Sequence, residues 1–203
     1  MPVVVVANPK GGVGKSTIST NVAGYFASQG HAVMLGDADL QQSARLWLGL
    51  RPPNARTIAT WEVNRTAKPP AGTTHVVLDT PAGLEGILLN VTMRFANKVI
   101  VPLQPSVFDI FATRAFLDHL AEHNMARKIQ VGIVGMRVDE RTLAADKLRH
   151  FVEDLGLPVL GFLRDTQNYL HLAAAGLTLF DVNPSKVEKD LAQWQGITRW
   201  LDQ

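Results

Sequence analysis

Short runs of apolar, mostly β-branched residues alternate along the chain with longer segments whose apolar positions recur at a helical spacing. Residues 3–7 are apolar at every position, which predicts a strand buried on both faces. Runs of similar character predict further strands at residues 32–35, 75–79, 99–101 and 129–134. This alternation is typical of an α/β fold with a mainly parallel, twisted sheet and crossover helices on both faces.

The longer periodic segments predict helices at residues 15–29, 84–95, 107–125, 140–155 and 185–201. Residues 51–74 are the most irregular stretch, with Pro-Pro pairs at 52–53 and 69–70, and they predict loops around one short element at 57–61. Neither an internal repeat nor a linker interrupts the pattern. We therefore expect a single domain over residues 1–203.

Composition narrows the class of protein. Of 203 residues, 46% are hydrophobic and 19% charged, which is enough apolar material for a sizeable core. The apolar runs are too short to cross a bilayer, and the first residues lack the pattern of a signal peptide. The absence of cysteine excludes disulfides, thiolate-bound clusters and cysteine nucleophiles. A cytoplasmic location is expected.

The strongest chemical signal is a glycine-rich loop at residues 10–17, between the first predicted strand and the first predicted helix. Its glycines let backbone N–H groups converge on phosphate oxygens, and the helix start adds the positive end of a dipole. Lys15 can reach β- and γ-phosphates, the Ser16 hydroxyl suits Mg²⁺, and Thr17 suits an α-phosphate oxygen. The predicted nucleotide-binding residues of this loop are Gly11, Gly12, Val13, Gly14, Lys15, Ser16 and Thr17.

The loop differs from an ordinary P-loop in two places: Pro9 stands where the first glycine is usual, and Lys10 is an additional lysine. The pattern K-G-G-x-G-K-[ST] is matched at every position, and by it the chain resembles the ParA/MinD family of deviant P-loop ATPases. The resemblance implies a P-loop NTPase fold. It also implies that Lys10 crosses a dimer interface to the nucleotide of the other subunit.

Two further segments fit the same site. Asp37 and Asp39 follow the second predicted strand, where parallel sheets bind ligands, and alternation puts both on one side of an extended chain. The family pattern D-x-D-P-Q is matched except that Leu40 replaces proline. The resemblance implies that Asp39 orients the attacking water and that Asp37 supports the metal; strand-end aspartates also serve as helix caps.

The predicted strand at 75–79 ends in Asp79 and is followed by Pro81 and Gly83, which fits a Walker B segment with the family's second switch. Asp79 is expected to hold Mg²⁺ through water, and Gly83 to let the backbone move when the γ-phosphate leaves. After the strand ending at residue 134, relatives usually have asparagine before arginine, where it can read adenine. Here Met136 precedes Arg137, so the sequence supports phosphate binding better than it supports selectivity for adenine.

The resemblance implies a Mg²⁺-dependent ATPase, slow and partner-stimulated, whose ATP-bound sandwich homodimer separates on hydrolysis. It is closest to small ParA-type partition ATPases without an N-terminal DNA-reading domain. Those proteins position plasmids, chromosome regions or protein cargo, bind DNA without sequence preference and respond to a ParB-like or adaptor partner. The resemblance thus implies a cytoplasmic, nucleoid-associated protein.

DNA binding would need a local basic patch, because the formal net charge is only +2. One candidate patch lies within residues 127–149 and contains Arg127, Lys128, Arg141, Lys147 and Arg149. A second candidate lies within residues 45–68 and contains Arg45, Arg51, Arg56, Arg65 and Lys68. A solvated surface without DNA contact is the alternative for both.

Three alternatives remain beside the partition ATPase. A MinD-like membrane-cycling ATPase would use an amphipathic C-terminal helix, but the stripe of Leu191, Trp194, Thr198 and Leu201 lacks the Lys/Arg-rich polar face of membrane helices, so we expect it to dock on the sheet. A ligase of the dethiobiotin or cobyrinic acid type would need a carboxylate pocket that no residue set marks. Residues 119–123 spell the zinc-peptidase pattern H-x-x-E-H, without an identifiable third ligand.

Overall fold

The valine-rich first strand lies at the centre of a seven-stranded sheet whose neighbouring strands pair in parallel. A computed structural model describes residues 1–39, 41–61, 71–122 and 129–203. The strand order is β3-β2-β4-β1-β5-β6-β7. The strands are β1 (Val3–Val6), β2 (Val33–Asp37), β3 (Ile58–Trp61), β4 (His75–Asp79), β5 (Lys98–Leu103), β6 (Gln130–Gly135) and β7 (Val159–Phe162).

Helices connect these strands and cover both faces of the sheet. They are α1 (Lys15–Ser28), α2 (Ser43–Leu50), α3 (Gly86–Met93), α4 (Val107–Glu122), α5 (Leu143–Asp154), α6 (Gln167–Ala174) and α7 (Glu188–Leu201). Two short 3₁₀ turns, Leu179–Asp181 and Pro184–Lys186, lie between α6 and α7. No helix in the described part of the chain is long and apolar enough to span a bilayer.

The core has two halves, one on each face of the sheet. In β1, Val4 and Val6 belong to one half while Val3 and Val5 belong to the other, as the two-residue period of a strand requires. The first half is packed by residues of α1, α2, α6 and α7, and the second by residues of α3, α4 and α5. The predicted α/β fold with a parallel sheet and helices on both faces is confirmed.

The predicted docking of the C-terminal stripe is confirmed. Trp194 and Ile197 are fully buried, and Trp200 and Leu201 are buried beside them in the first half of the core. The Lys98 ammonium, at the start of β5, donates to the carbonyl oxygens of Trp200 and Leu201 and so fixes the end of α7. The apolar face of α7 is therefore occupied by the protein's own core.

Three short elements were not predicted: α2, α6 and β7. Strand β7 has only four residues, one of them Gly161, and α2 and α6 have eight each, so none carries a full period pattern. Helix α5 begins at Leu143 rather than near residue 140 because the Thr142 hydroxyl accepts from the Ala145 N–H and caps it. Residues 123–125 of the predicted fourth helix lie outside the described residues.

Candidate functional site

The glycine-rich loop joins β1 to α1 at the carboxyl edge of the sheet. Gly12 and Gly14 have φ of 75° and 98°, in the region that favours glycine, and Gly14 is the residue before α1. The loop is fixed at its start by Asn8, a fully buried side chain that sequence reasoning missed. Its amide donates to Pro102 O and to the Thr113 hydroxyl, and its Oδ1 accepts from the Lys10 N–H at 2.9 Å.

Lys15, the first residue of α1, is buried and bends back over the loop, where its Nζ donates to Lys10 O at 2.7 Å. Burial lowers the pKa of the Lys15 ammonium, and the charges of Asp79 and Asp39 act in the opposite direction. The ammonium is thus held against the loop backbone with carboxylates nearby. Val13 is buried under the loop, while Gly11 and Gly12 are exposed on it.

Asp79 lies at the carboxyl end of β4, paired in register with Asp37 of β2 on one side and Val6 of β1 on the other. Its carboxylate accepts from the Ser16 hydroxyl at 2.6 Å and from the Ser19 hydroxyl at 3.0 Å. Burial raises the pKa of Asp79 to about 6, against the effect of these two hydrogen bonds. Ser19 was missed, although it lies one helical turn beyond Ser16.

Ser16 and Asp79 bring oxygen donors together, as a site for Mg²⁺ requires. A hard cation bound here would take the place of the Ser16 hydroxyl hydrogen bond as the partner of the Asp79 carboxylate. That carboxylate is buried and has lost most of its water. The donor set therefore fits Mg²⁺.

The extended geometry of β2 ends at Asp37 and does not continue to Asp39. The Asp37 carboxylate accepts from the N–H groups of Asp39, Ala44 and Arg45 and so holds the start of α2. The Asp39 carboxylate accepts from the Gln41 N–H at 2.9 Å. Asp37 therefore has the contacts of a helix cap, the alternative that its place at a strand end leaves open.

The segment after β4 is hydrogen-bonded to the loop. The Gly83 N–H donates to Pro9 O at 2.8 Å, and Gly83 has a φ of 68° that glycine tolerates. The Thr80 hydroxyl donates to Val6 O at 2.8 Å. On the other side, the Gln104 amide donates to Gly12 O at 2.9 Å, a contact that the sequence did not indicate.

The residues after β6 lie against the same loop. Met136 is buried with its flexible end against Gly14, and the φ of 98° rather than the space around it is what requires glycine at this position. The next residue, Arg137, is exposed with a φ of 52°. Met136 therefore serves as packing under the loop, and Arg137 is the side chain that faces solvent there.

The two basic patches fare differently. The Arg51 side chain is only 6% exposed and forms a bidentate ion pair with Asp181, so the expectation that it belongs to a surface patch is wrong. No local pattern reveals a partner 130 residues away. In the other patch Arg141 pairs with Asp139, and Arg149 lies near Glu140 and Asp146. Of the other predicted members, Arg45, Arg56 and Lys147 are exposed, and Arg65, Lys68, Arg127 and Lys128 lie outside the described residues.

The zinc pattern gains no support from the described part of the chain, where no group of three or more His, Asp or Glu side chains is placed to hold a metal. His119 is exposed on α4, and His123 lies outside the described residues.

The glycine loop lies between the first strand and the first helix of a parallel sheet. Its lysine folds back over the loop, and its serine is hydrogen-bonded to an aspartate at a strand end. These features define the class of P-loop nucleotide-binding proteins. The sequence profile of the CobQ/CobB/MinD/ParA nucleotide-binding domain family (CbiA) matches residues 4–179. The chain belongs to this family, which confirms the resemblance to ParA and MinD.

Relatives with described roles cover most of the chain. It is 27% identical over 211 residues to maintenance of carboxysome distribution protein A of Gloeobacter kilaueensis, covering 98% of this chain and 94% of that protein. It is 28% identical over 182 residues to the chromosome-partitioning ATPase Soj of Thermus thermophilus, covering 71% and 73%. A solved MinD of Pyrococcus horikoshii, complexed with Mg-ADP, matches with a TM-score of 0.76 at 15% identity over 100% of this chain and 96% of that one, a likeness of fold.

Proposed function

We propose that this protein is a Mg²⁺-dependent ATPase that hydrolyses ATP to ADP and phosphate and acts as a nucleotide-timed positioning switch. The observation that carries the proposal is the junction of Lys15, Ser16 and Asp79 under one glycine loop, with Ser16 Oγ 2.6 Å from Asp79 Oδ2. Family membership over residues 4–179 supports a bound nucleotide. We further propose that the 203 residues act as one domain.

The residues of the loop divide the work of binding. The N–H groups of Gly11, Gly12, Val13 and Gly14 line the phosphates, together with the side chain of Thr17. The Lys15 ammonium exchanges its bond to Lys10 O for phosphate oxygens, a small change because that carbonyl is in the same loop. Ser16 and Asp79 hold Mg²⁺, which neutralises charge on the phosphates when bound.

Two residues are proposed to act in hydrolysis beside Lys15. Asp39 follows the cap formed by Asp37, and its carboxylate accepts from the Gln41 N–H two residues away, a local contact from which it can turn toward an attacking water. Asp37, whose oxygens accept three N–H groups, supports the metal site by fixing the Asp39 loop. Lys10 is proposed to reach the nucleotide of a second copy, and Arg137 to flank the base.

The cellular role is proposed from the named relatives, one of which distributes carboxysomes and another of which partitions chromosomes. We propose that the ATP dimer positions a plasmid, chromosome region or protein cargo while bound to DNA without sequence preference, in the cytoplasm and on the nucleoid. A ParB-like or adaptor protein stimulates release. A MinD-like membrane cycle is the alternative, but the burial of the α7 apolar face disfavours it.

Variants of Lys10 and Asp39 test the proposal. Purified wild type is expected to hydrolyse ATP with Mg²⁺, to lose hydrolysis with EDTA, and to dimerise with ATP in light scattering. Lys10→Ala keeps nucleotide binding by calorimetry but loses dimerisation and hydrolysis, whereas Asp39→Ala binds ATP and stays a dimer in size-exclusion chromatography. Normal hydrolysis by Lys10→Ala would contradict the cross-subunit role.

DNA binding has its own test. The wild-type ATP dimer is expected to bind unrelated duplexes equally and to weaken steeply between roughly 50 and 200 mM salt, with a log–log slope near −0.9 for each phosphate contacted. Reversing the charges of Arg141 and Lys147 lessens that slope. Binding of anionic liposomes without binding of DNA would favour the membrane cycle instead.

A further inference from the structure

Asn8 is a fully buried side chain in which both N–H groups and the oxygen have hydrogen-bond partners. Its nitrogen donates to the Pro102 carbonyl at 2.8 Å and to the Thr113 hydroxyl at 2.9 Å, and its oxygen accepts from the Lys10 N–H at 2.9 Å. Pro102 lies in β5, and Thr113, also fully buried, lies in α4. One side chain thus joins the start of the phosphate loop to a strand and a helix that lie 94 and 105 residues away.

Pro9 explains why an amide is needed at this position. The Ala7 N–H, just beyond β1, donates to the Ile100 carbonyl of β5. In a parallel ladder the next donor in this row is the N–H of residue 9, and its acceptor is the carbonyl of residue 102. Proline has no N–H, so that donor is missing. The Asn8 side chain supplies it and continues the pairing of β1 with β5 while the backbone turns into the loop.

The partners of Asn8 allow one orientation of its amide. The Pro102 carbonyl needs a donor and the Lys10 N–H needs an acceptor, whereas the Thr113 hydroxyl can be either. Turning the amide by 180° would set oxygen against oxygen at Pro102 and N–H against N–H at Lys10. Because buried polar groups without partners are costly, the orientation of Asn8 is fixed by its surroundings.

The backbone of Lys10 is held on both sides of its Cα. Its N–H donates to the Asn8 side chain, and its carbonyl accepts from Lys15 Nζ at 2.7 Å. These bonds fix the two peptide planes that meet at the Cα, and so they fix the direction in which the Lys10 side chain leaves the loop. In the proposed function Lys15 turns to phosphate oxygens, and the bond to Asn8 then remains to hold that direction.

We infer that Asn8 is a positioning residue for Lys10 and that Thr113 holds Asn8 in place for this task. The inference rests on the proposed function for the action of Lys10 on the nucleotide of a second copy. A lysine that acts across a contact between two molecules must leave its own loop in a set direction, because a misplacement of about 1 Å can cost about 100-fold in rate. Through Thr113 the same amide ties that direction to α4.

Hydrogen exchange at Lys10 is the first test, and it needs no nucleotide. We expect NMR of isotope-labelled protein to show that the Lys10 N–H is protected in the wild type. In Asn8→Ala this N–H exchanges at least about tenfold faster, because its acceptor is gone. The internal control is the Ile18 N–H, which donates to the Gly14 carbonyl at the start of α1 and keeps its exchange rate.

A split between kcat and nucleotide affinity is the second test. Thr113→Val removes the hydroxyl from a side chain of nearly the same shape and leaves one N–H of Asn8 without an acceptor. We expect kcat for ATP hydrolysis to fall at least about fivefold, and at least about 30-fold in Asn8→Ala. The Kd of a non-hydrolysable ATP analogue stays within about twofold of wild type in both, since the phosphates are held by residues 11–17.

Two further threonine variants are the matched controls. Thr113→Ser keeps a hydroxyl beside Asn8 and is expected to restore kcat to within about twofold of wild type. Thr92→Val removes a buried hydroxyl that donates to the Leu88 carbonyl within its own helix, α3, and hydrolysis is expected to stay at the wild-type rate. If Asn8→Ala does not fold, the exchange measurement is made on Thr113→Val, in which the Lys10 N–H exchanges at least about threefold faster.

The outcomes separate the role of Asn8 from the function on which it rests. Wild type that binds no ATP contradicts the proposed function, and the exchange rate at Lys10 then decides whether Asn8 sets the geometry of Lys10. An unchanged exchange rate at Lys10 overturns the inference, and so does a wild-type kcat in both Asn8→Ala and Thr113→Val. A loss of ATP affinity as large as the loss of kcat would also overturn it and would make Asn8 a residue that only shapes the loop.

Discussion

The two edges of the sheet each hold a buried lysine, and the comparison separates a lysine that binds a ligand from one that holds the fold. Lys15 at the carboxyl edge and Lys98 at the amino edge are both 7% exposed, and burial lowers the pKa of both ammonium groups. Both donate to backbone carbonyls. By burial and pKa alone the two residues are indistinguishable.

Their partners differ. Lys15 bonds a carbonyl five residues away in its own loop, and two carboxylates lie near enough to act on its charge. Lys98 bonds two carbonyls at the end of α7, more than one hundred residues away, and its Nζ lies 4.8 Å from the centre of the Trp200 ring. A local, replaceable partner leaves Lys15 available to phosphate, whereas the long-range partners of Lys98 are part of the core.

The largest effect is expected from Lys15→Met. Without the ammonium, ATP hydrolysis falls at least about 100-fold, the usual cost of removing one charge-stabilising donor. The free energy of unfolding changes by less than about 1 kcal/mol, because the change removes a desolvated charge along with a single loop hydrogen bond. Hydrolysis assays check the expected loss of activity, and urea unfolding checks the expected small change in the free energy of unfolding. Strong destabilisation of this variant would make Lys15 a structural lysine like Lys98.

The same substitution at the other edge should give the opposite result. Lys98→Met leaves two carbonyl oxygens at the end of α7 without their donor and removes the ammonium from the Trp200 ring. We expect the free energy of unfolding to fall by about 2–3 kcal/mol, with hydrolysis per folded molecule unchanged. Loss of activity without loss of stability would show that the edges are not functionally separate.

Strand β4 extends the comparison, since it begins at His75 on one edge and ends at Asp79 on the other. Burial raises the pKa of Asp79 to about 6, above its unfolded value, so ionised Asp79 destabilises the fold above about pH 6 and protonation relieves this. Asp79→Asn should therefore unfold with about 1 kcal/mol more free energy at pH 8, in EDTA without nucleotide, a gain that fades toward pH 4. Hydrolysis should be lost, since Mg²⁺ loses its carboxylate.

The smallest effect is expected at His75, whose ring packs against that of His31 in a tilted arrangement with centroids 3.9 Å apart. Burial, reinforced by the charge of His31, lowers the pKa of His75 to about 4. The unfolded chain therefore takes up the proton first, so this contribution to stability is complete above about pH 6.5 and is lost as the pH falls toward 4. His75→Gln should lessen acid destabilisation in that window by under about 1 kcal/mol, because the ring is partly exposed.

The two pH predictions are checked by urea unfolding at several pH values. The contribution of His75 to the free energy of unfolding falls as the pH falls, whereas that of Asp79 rises. His75→Gln and Asp79→Asn should therefore shift the pH profile of stability in opposite directions. Shifts of the same sign would contradict the assignment of one group to each edge.

The parts of the site that are continuous in sequence could be predicted, and the parts joined across the fold could not. The first strand, the loop glycines, Lys15 and Ser16 all lie within residues 3–17. The sequence next to the loop is therefore enough to predict the loop's structure. Asn8, which anchors this loop through residues 94 and 105 positions away, has no such local signal. Arg51 was misplaced for the same reason, since Asp181 lies in a distant 3₁₀ turn.

The fold shows the same division. Strands β1, β4, β5 and β6 have apolar runs that are buried on both sides, and these runs predict a parallel sheet. Short elements such as β7 and α6 depend on neighbours that only the assembled sheet supplies. Helical spacing also does not tell which apolar stripe of α4 is covered, so the exposure of Phe108 and Phe111 became visible only in three dimensions.

The buried position of α7 has a consequence for how the protein folds during its synthesis. Trp194, at the centre of this last helix, is fully buried, and the helix end receives Lys98 of β5. On the ribosome, all seven strands leave the exit tunnel before α7, and until α7 follows, the part of one sheet face that it covers is exposed and Lys98 lacks its acceptors. The fold of the nascent chain is therefore completed only when α7 has emerged, and part of an apolar sheet face needs shielding until then.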